Sequence, residues 1–195
     1  MRSKGFIGVV LIALLVLAAG CTGCQIRNSL TSQQELVTRS WADVQAQYQR
    51  RANLIPNLVS TVRRAESFDR EVIESVAAAE RAVRDASGDD LSAASMRGYL
   101  SAQRELGSSL GRLLDESRQS QQLASVEAFQ SLQDQLEGTE NRIAVAHRDY
   151  NKAVAGYNSR IRKFPTNIVA ALTGFHAITP FEAEAGAERA PDVDL

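Results

Sequence analysis

A run of aromatic and aliphatic side chains at every seventh position constrains the fold of this chain most. The run lies between Val126 and Phe164 and contains no proline; its members are Phe129, Leu136, Ile143, Tyr150, Tyr157 and Phe164. A second set, three or four positions on, widens the same face: Leu132, Ala146, Ala153, Val154 and Ile161. This spacing predicts one long amphipathic helix. Because such a helix needs its apolar face covered, the rest of the chain is expected to supply other helices.

Three earlier stretches have helical spacing as well. A first helix is predicted over Val37 to Ile55, a second over Leu58 to Val83 with Asp69 as its one polar intruder, and a third over Met96 to Leu113, fading between residues 117 and 122. No stretch alternates in the manner of a β-strand. We therefore expect an all-α protein, a long antiparallel helical bundle of three to four helices around a single core, preceded by an N-terminal membrane-anchor segment.

Pro56 decides whether the first two predicted helices are separate. A proline inside a helix removes a hydrogen bond and clashes with the carbonyl four residues earlier, which favours a break. The apolar spacing nevertheless continues from Ile55 to Leu58 with little loss of phase, which favours one helix kinked at Pro56, running from about Gln34 to Ala86. We expect the kink.

Residues 1–24 have the layout of an export signal or membrane anchor. Arg2 and Lys4 precede an uncharged run, and small residues then lead into Cys21. Two interpretations stay open: Ala-Ala-Gly-Cys is a lipoprotein cleavage box and Cys21 receives lipid, or the roughly 20 uncharged residues are retained as a transmembrane helix. Both place the body on the periplasmic or extracellular side, because the cationic end stays in the cytoplasm.

Charge and cysteine usage exclude several classes of protein. A formal net charge of -1 offers no basic face for nucleic acid. Cys21 and Cys24 precede the body, so no disulfide framework is expected inside it, and a redox CxxC would need a βαβ setting. We expect residues 25–33 to be a polar linker, residues 34–181 to form the bundle, and residues 182–195 to be an acidic, extended tail.

Several separated blocks of the sequence resemble the bacterial LemA family. They are RRANLIPNLV at residues 50–59, GTENRIAVA at residues 138–146, and the two Tyr-Asn pairs that lead to Phe164-Pro165. The resemblance covers about residues 41–181. It implies a membrane-anchored helical bundle without an established molecular function and without catalytic residues to carry over. His147 departs from the family pattern, which usually has Arg there.

Polar residues close to the apolar faces are the candidate site: Arg50, Arg51, Asn53, Asn57, Glu140, Asn141 and Arg142. One interpretation is a ligand or partner site at one end of the bundle. The other, which we favour, is a structural network in which Glu140 pairs with an arginine and the asparagine side chains satisfy the backbone opened by Pro56. In that network Arg50, Arg51 or both contact Glu140.

Two patterns typical of enzymes have structural interpretations here. Gly107 to Gly111 satisfies GxSxG, which needs a turn between a strand and a helix; within a predicted helix, two glycines four apart instead let helices approach closely. Glu140 and His147 share a helix face, but a di-iron bundle site requires Glu-x-x-His on two helices, and neither His147 nor His176 has a glutamate three residues earlier. We therefore predict no enzyme, no catalytic residue, no cofactor and no metal.

Tyr150 and Tyr157 occupy heptad core positions, each followed by an asparagine. We interpret them as core aromatics with hydrogen-bonded hydroxyls rather than as a cofactor-binding pair.

The leading functional hypothesis is a membrane-tethered, non-enzymatic interaction or scaffold module at the bacterial cell envelope, with an envelope protein of unknown identity as its partner and an oligomeric state left open. The alternative is an accessory factor that shapes membrane or modulates an envelope protease or transporter. A hydrolase or metalloenzyme with an unrecognised site is the third.

Overall fold

The structure is a computed structural model that describes residues 2–64, 69–86, 93–120, 123 and 126–181; within these, the side chains of residues 2–10, 12, 15, 16, 19 and 93 are left out. Five helices lie in the described part: α1 (Arg2–Val62), α2 (Arg70–Asp85), α3 (Ala93–Gln119), α4 (Glu127–Arg162) and α5 (Thr166–Thr173). No strand occurs there. The predicted all-α class is confirmed.

The organising helix of the sequence is α4. Its heptad residues from Phe129 to Tyr157 are buried, and so is the second apolar set. Thr139 fills the gap in that second set, and its hydroxyl donates to the carbonyl of Gln135 at 2.7 Å. The prediction that Phe164 is a core residue is wrong: α4 ends at Arg162, and the Phe164 side chain is 80% exposed.

Helix α1 continues through Pro56, so the chain does not reverse there, as predicted. The single helix to Ala86 is wrong, however, because α1 ends at Val62 and α2 begins at Arg70. Asp69 is the physical reason. It is the N-cap of α2, and its side-chain oxygen accepts a hydrogen bond from the backbone N–H of Glu71 at 2.8 Å.

Residues 25–33, expected to be a linker, are helical and belong to α1. The stretch contains neither proline nor glycine, and Leu30, seven residues before Val37, is fully buried. Among the described residues, no helix is long and apolar enough to cross a membrane. The expected acidic tail lies outside the described residues.

Two compact units replace the single expected core. The terminal unit comprises Met1–Ser40 with Asp149–Leu195, and the central unit comprises Trp41–Arg148. Helices α1 and α4 contribute to both, because each is long enough to meet different partners along its length.

The central unit has a continuous apolar core. Helices α2 and α3 pack antiparallel, and the backbone N–H of Asp69, before α2, donates to Glu116 near the end of α3 at 3.2 Å. The buried core residues come from α1, α2, α3, Leu123 and α4: Ile55, Leu58, Val62, Ile73, Val76, Ala79, Leu106, Leu110, Leu113, Leu123, Phe129, Leu132 and Leu136. This core brings the candidate site residues of α1 and α4 next to α3.

In the terminal unit, residues 175–181, which we call the strap, are tied to α4 by two asparagines. Asn158 accepts from the N–H of Ile178 at 3.0 Å and donates to its carbonyl at 2.7 Å. Asn151 does the same for Phe181, at 2.7 and 3.1 Å. Because each amide satisfies both backbone groups of one residue, the strap needs no β-sheet partner at these positions.

The tyrosines before those asparagines bind the strap too. Tyr157 donates its hydroxyl proton to the carbonyl of His176 at 2.9 Å, and Tyr150 donates to that of Thr179 at 3.4 Å. Burial raises the pKa of both hydroxyls, that of Tyr150 to about 12. The prediction of core aromatics with bonded hydroxyls is confirmed.

Candidate functional site

A buried arginine organises the polar part of the central unit. The Arg51 side chain is 3% exposed; Nη1 donates to Oε1 of Glu140 at 2.9 Å, and Nη2 donates to the backbone carbonyl and the side-chain oxygen of Gln103. The predicted contact between Arg51 and Glu140 is confirmed. Arg50 points elsewhere and is exposed.

Three helices position this network. Arg51 lies on the buried face of α1 between Tyr48 and Ile55, Gln103 lies on α3, and the half-exposed Glu140 lies on α4. Charged hydrogen bonds to both ends of the guanidinium offset part of the cost of removing it from water. Its Nε, however, is buried without a hydrogen-bond partner in the described part of the chain.

Gly107 on α3 leaves room for the guanidinium. A Cβ at this position would lie 3.3 Å from Nη1 of Arg51, whereas a Cβ at Gly111 would meet no described atom within 4 Å. The GxSxG stretch is inside α3 and Ser109 is buried, as the structural interpretation expects. Gly107 therefore makes room for the end of the Arg51 side chain rather than for the backbone of another helix, and the expected close helix approach is wrong for Gly111.

An aromatic ring lies against Arg51 and is itself packed against other rings. The guanidinium carbon lies 5.3 Å from the centre of the Tyr48 ring, and Tyr48 meets Tyr99 edge-on with centroids 5.7 Å apart. Trp41 meets Tyr99 in the same manner at 6.1 Å. These contacts add cation–π and edge-to-face attraction to the ion pair.

Tyr48 and His147 share a hydrogen bond of 2.8 Å between Oη and Nε2. Burial raises the pKa of the Tyr48 hydroxyl well above its ordinary value near 10. Burial, and then the positive charge of Arg51, lower the pKa of His147 below its ordinary value near 6.5. We therefore assign the hydroxyl as the donor to a neutral imidazole.

The remaining predicted site residues are exposed and do not join this network. Asn53 accepts from the side chain of Gln49 at 3.0 Å, so the expectation that it satisfies the backbone at Pro56 is wrong. At Asn57 the backbone carbonyl accepts the hydroxyls of Ser60 and Thr61 at 2.9 Å, while the side chain is exposed. Asn141 faces solvent on α4.

Arg50 and Arg142 instead line a shallow groove of about 280 Å³ between α1 and α4. Asp134 and Gly138 lie in the same groove. Neither arginine forms an ion pair with a described residue. Two of the seven predicted residues are thus brought together on an open surface, with two cationic groups available to a partner.

A larger cleft of about 590 Å³ opens beside the buried network, between α1, α2 and α3. Its wall includes Tyr48, Tyr99 and Gln103 from the network, and the ion pair of Arg84 with Glu80, at 3.0 Å, lies at its edge. Among its described lining residues there is no cysteine, serine or histidine.

No group of three or more histidine, cysteine, aspartate or glutamate residues in the described ranges has the arrangement of a metal site. Cys21, the predicted lipid-attachment residue, is an exposed free thiol on α1. Its modification remains a prediction.

The sequence reading did not include Gln103, Gly107 or Tyr48 in the site. A signal for Gln103 was present, because it falls in phase with the apolar stripe of the third helix, between Tyr99 and Leu106. A polar residue at such a position is buried by its helix and must find a partner there. The same reasoning finds Arg51 and Thr139.

Comparison of the sequence with known proteins identifies a family and several relatives. A family model described as "LemA family" matches residues 40–195. Magnetosome proteins MamQ 1 and MamQ 2 of Paramagnetospirillum magneticum are each 35% identical over 86 residues, which is 44% of this chain and 32% of theirs. Magnetosome protein MamQ of Magnetospirillum gryphiswaldense is 31% identical over 85 residues, 44% of this chain and 31% of that protein. The chain thus spans about a third of the length of these curated relatives.

Proposed function

The chain belongs to the LemA family, and from that premise we propose that it is a membrane-tethered helical bundle acting as a non-enzymatic interaction or scaffold module at the bacterial cell envelope. The tether is residues 1–24, and the partner-binding part is the central unit.

The observation that carries this proposal is the internal pairing of Arg51. Glu140 and Gln103 occupy both terminal nitrogens of its guanidinium, so the most prominent polar group of the site is engaged within the protein. An active site instead aims such groups at a reacting atom. The network therefore serves to hold α1, α3 and α4 in register and to give the central unit a rigid surface.

The groove with Arg50 and Arg142 is the part of this surface best suited to a partner. Guanidinium groups bind carboxylates in a bidentate manner, and the two arginines of the groove outnumber its one carboxylate, Asp134, so they favour a partner segment that carries acidic side chains. Exposed Asn53, Asn57 and Asn141 on the same two helices offer further donors and acceptors.

Sequence supports the tether. Arg2 and Lys4 precede the uncharged run that leads to Cys21, and both interpretations of that run, a lipidated cysteine or a retained helix, attach the chain to membrane. The matched relatives are named as magnetosome proteins. Replacing Cys21 by serine separates the two interpretations: lipidation predicts that the variant is released from the membrane or stays uncleaved, with altered gel mobility, and a retained helix predicts no change in gel mobility or in membrane retention.

Photo-crosslinking in intact cells tests the partner surface. A photoreactive phenylalanine analogue replaces Arg50 or Arg142 in the full chain, and the same analogue at exposed Arg97 on α3 is the matched control. We expect a discrete protein adduct at positions 50 and 142 and none at 97. Each adduct should be lost when the other arginine is changed to glutamate, because the partner's carboxylates are then repelled.

Equal labelling at all three positions would contradict the proposed surface. Adducts to lipid at positions 50 and 142, with no protein adduct, would favour the alternative of an accessory factor that shapes membrane.

A further inference from the structure

Large apolar side chains are exposed just before α5 and along it. Phe164 is 80% exposed, Ile168 51% and Leu172 81%. Among the described residues of the central unit, only Val145, at 41%, is a comparably exposed large hydrophobic. A cluster of this kind on a soluble surface marks a contact with an apolar partner.

Local structure holds the cluster together. Ile168 and Leu172 are four apart on α5 and share a face. The N–H of Asn167 donates to the carbonyl of Lys163 at 2.9 Å, and that of Ile168 to the carbonyl of Pro165 at 3.1 Å, so Phe164 lies within one turn of Ile168.

The segment is fixed at both ends. At its start it follows directly from α4, and beyond Gly174, in the left-handed conformation with φ 79°, it continues into the strap that Asn151 and Asn158 tie to α4. Ala170, on the opposite face of α5, is buried. The exposed face is therefore presented outward by a supported element rather than by a loose end.

Between Asp149 and Glu182 the charged side chains are all cationic. Arg160, Arg162 and Lys163 are exposed at the end of α4 and form no ion pair with a described residue. On α1 of the same unit no acidic residue precedes Glu35. Apolar side chains flanked by unpaired cations match the interface of an anionic bilayer.

We propose that Phe164, Ile168 and Leu172 rest in the headgroup region of an anionic lipid bilayer, with Arg160, Arg162 and Lys163 bound to lipid phosphates, as a second membrane contact of the terminal unit besides its anchor. This inference rests on the proposed tethering, which keeps the unit at the membrane. A second copy of the chain is a poorer occupant, because it would bring the same cations against one another.

Tryptophan fluorescence in vesicles tests the contact on the full chain. Phe164→Trp is compared with Val145→Trp, an exposed position of the central unit, and the natural Trp41 is 4% exposed and adds the same background to both. The proteins are reconstituted in phosphatidylcholine vesicles with or without phosphatidylglycerol. The phosphatidylcholine is then replaced by a form brominated at the headgroup end of its acyl chains, which quenches tryptophan at the boundary between headgroups and acyl chains.

In anionic vesicles we expect brominated lipid to quench the tryptophan at position 164 roughly twofold or more, with a blue-shifted emission, and the tryptophan at position 145 to be unaffected. The double variant Arg160→Gln/Lys163→Gln keeps the hydrogen bond from Arg162 to the Asn158 carbonyl. In anionic vesicles it should reduce the quenching at position 164 by roughly half. The same pair should change little in neutral ones.

Flotation of the vesicles separates the two proposals. Protein that floats while position 164 stays unquenched overturns the second contact and leaves the tether intact. Protein that does not float overturns the tether and, with it, this inference. A blue shift at position 164 that appears without vesicles and grows with protein concentration would assign the face to a second copy of the chain.

Discussion

The central and terminal units use the same two long helices, yet they place polar and apolar groups in opposite ways. The central unit buries a charged side chain, Arg51, and has only Val145 as an exposed large hydrophobic among its described residues. The terminal unit buries neutral tyrosine and asparagine contacts with its strap and exposes Phe164, Ile168 and Leu172. One helix pair can thus provide a surface suited to a protein partner in one unit and a surface suited to lipid in the other.

The difference extends to what holds each unit together. Removing one partner of a buried ion pair leaves a charge or its acceptors without compensation, which is costly. Neutral hydrogen bonds of the kind that hold the strap contribute about 1 kcal/mol each. Substitutions in the two units should therefore differ in size as well as in location.

The largest effect is expected for Arg51→Met. The methionine fills much of the space, but the two buried acceptors of Gln103 lose their donor while the half-exposed Glu140 is solvated, so we expect a loss of about 2 to 4 kcal/mol in the free energy of unfolding. Denaturant titration followed by Trp41 fluorescence measures it, since that residue is buried in the same unit.

Arg50→Met is the matched control on the neighbouring, exposed residue, and it should change stability by less than about 0.5 kcal/mol. A similar loss for both variants would show that the buried pair does not distinguish the central unit.

A smaller effect, confined to the terminal unit, is expected for Asn158→Ala. The change removes both side-chain hydrogen bonds to Ile178 and should cost about 1 to 3 kcal/mol locally. Amide hydrogen exchange of Ile178 should accelerate roughly tenfold or more, since each 1.4 kcal/mol is about a factor of ten.

Asn141→Ala, on an exposed position of the same helix, should leave that exchange unchanged. If Asn158→Ala also accelerates exchange throughout the central unit, the two units unfold together and the comparison between them fails.

The seven-residue repeat of α4 and the three- and four-residue spacing of α1 were enough to predict these helices from sequence. Residues that the spacing assigns to the apolar face, such as Leu136 and Val44, are buried. The sequence did not predict the break between α1 and α2, because Asp69 was interpreted as a polar residue inside one helix, whereas it is the N-cap at which α2 begins. Phe164 shows the limit of the period: the repeat continues past the point where the helix ends.

In the candidate site, the contact between Arg51 and Glu140 followed from the requirement that a charge on an apolar face has a partner. Gln103 could have been found in the same way. Two features could not be predicted in this way: the ring contact of Tyr48 with Tyr99, and the hydrogen bonds of Asn151 and Asn158 to the strap. They depend on how different segments of the chain are placed in space, and the residue spacing within one helix does not give that placement.

Acid is expected to act on the central unit through His147. Its pKa is lowered on folding by burial and by Arg51, so the unfolded chain binds a proton more readily, and the free energy of unfolding rises with pH below the ordinary value near 6.5 and levels off above it. Going from about pH 7.5 to about pH 5.5 should therefore cost stability, by at most about 1.4 kcal/mol per pH unit.

His147→Gln keeps an acceptor for the Tyr48 hydroxyl and removes the titration. The stability difference between this variant and the parent chain, measured by denaturant titration across that pH range, should grow toward acid in favour of the variant. A constant difference would mean that His147 titrates alike in the folded and unfolded chains.

The smallest expected effects compare one helix-interior glycine from each unit. Alanine is favoured over glycine inside a helix by about 0.5 to 1 kcal/mol. In the terminal unit a Cβ at Gly156 would meet Oε1 of Gln33 at 3.8 Å, an ordinary contact with a flexible side chain, so Gly156→Ala should stabilise by nearly that full amount.

In the central unit a Cβ at Gly107 would lie 3.3 Å from Nη1 of Arg51, which Glu140 holds in place. Gly107→Ala should therefore be neutral or destabilising, and combining it with Arg51→Met should restore the gain from alanine, because the obstructing group is gone. Denaturant titration of the four variants decides it: stabilisation by Gly107→Ala in the presence of Arg51 would show that the guanidinium yields easily and that the network is looser than its hydrogen bonds imply.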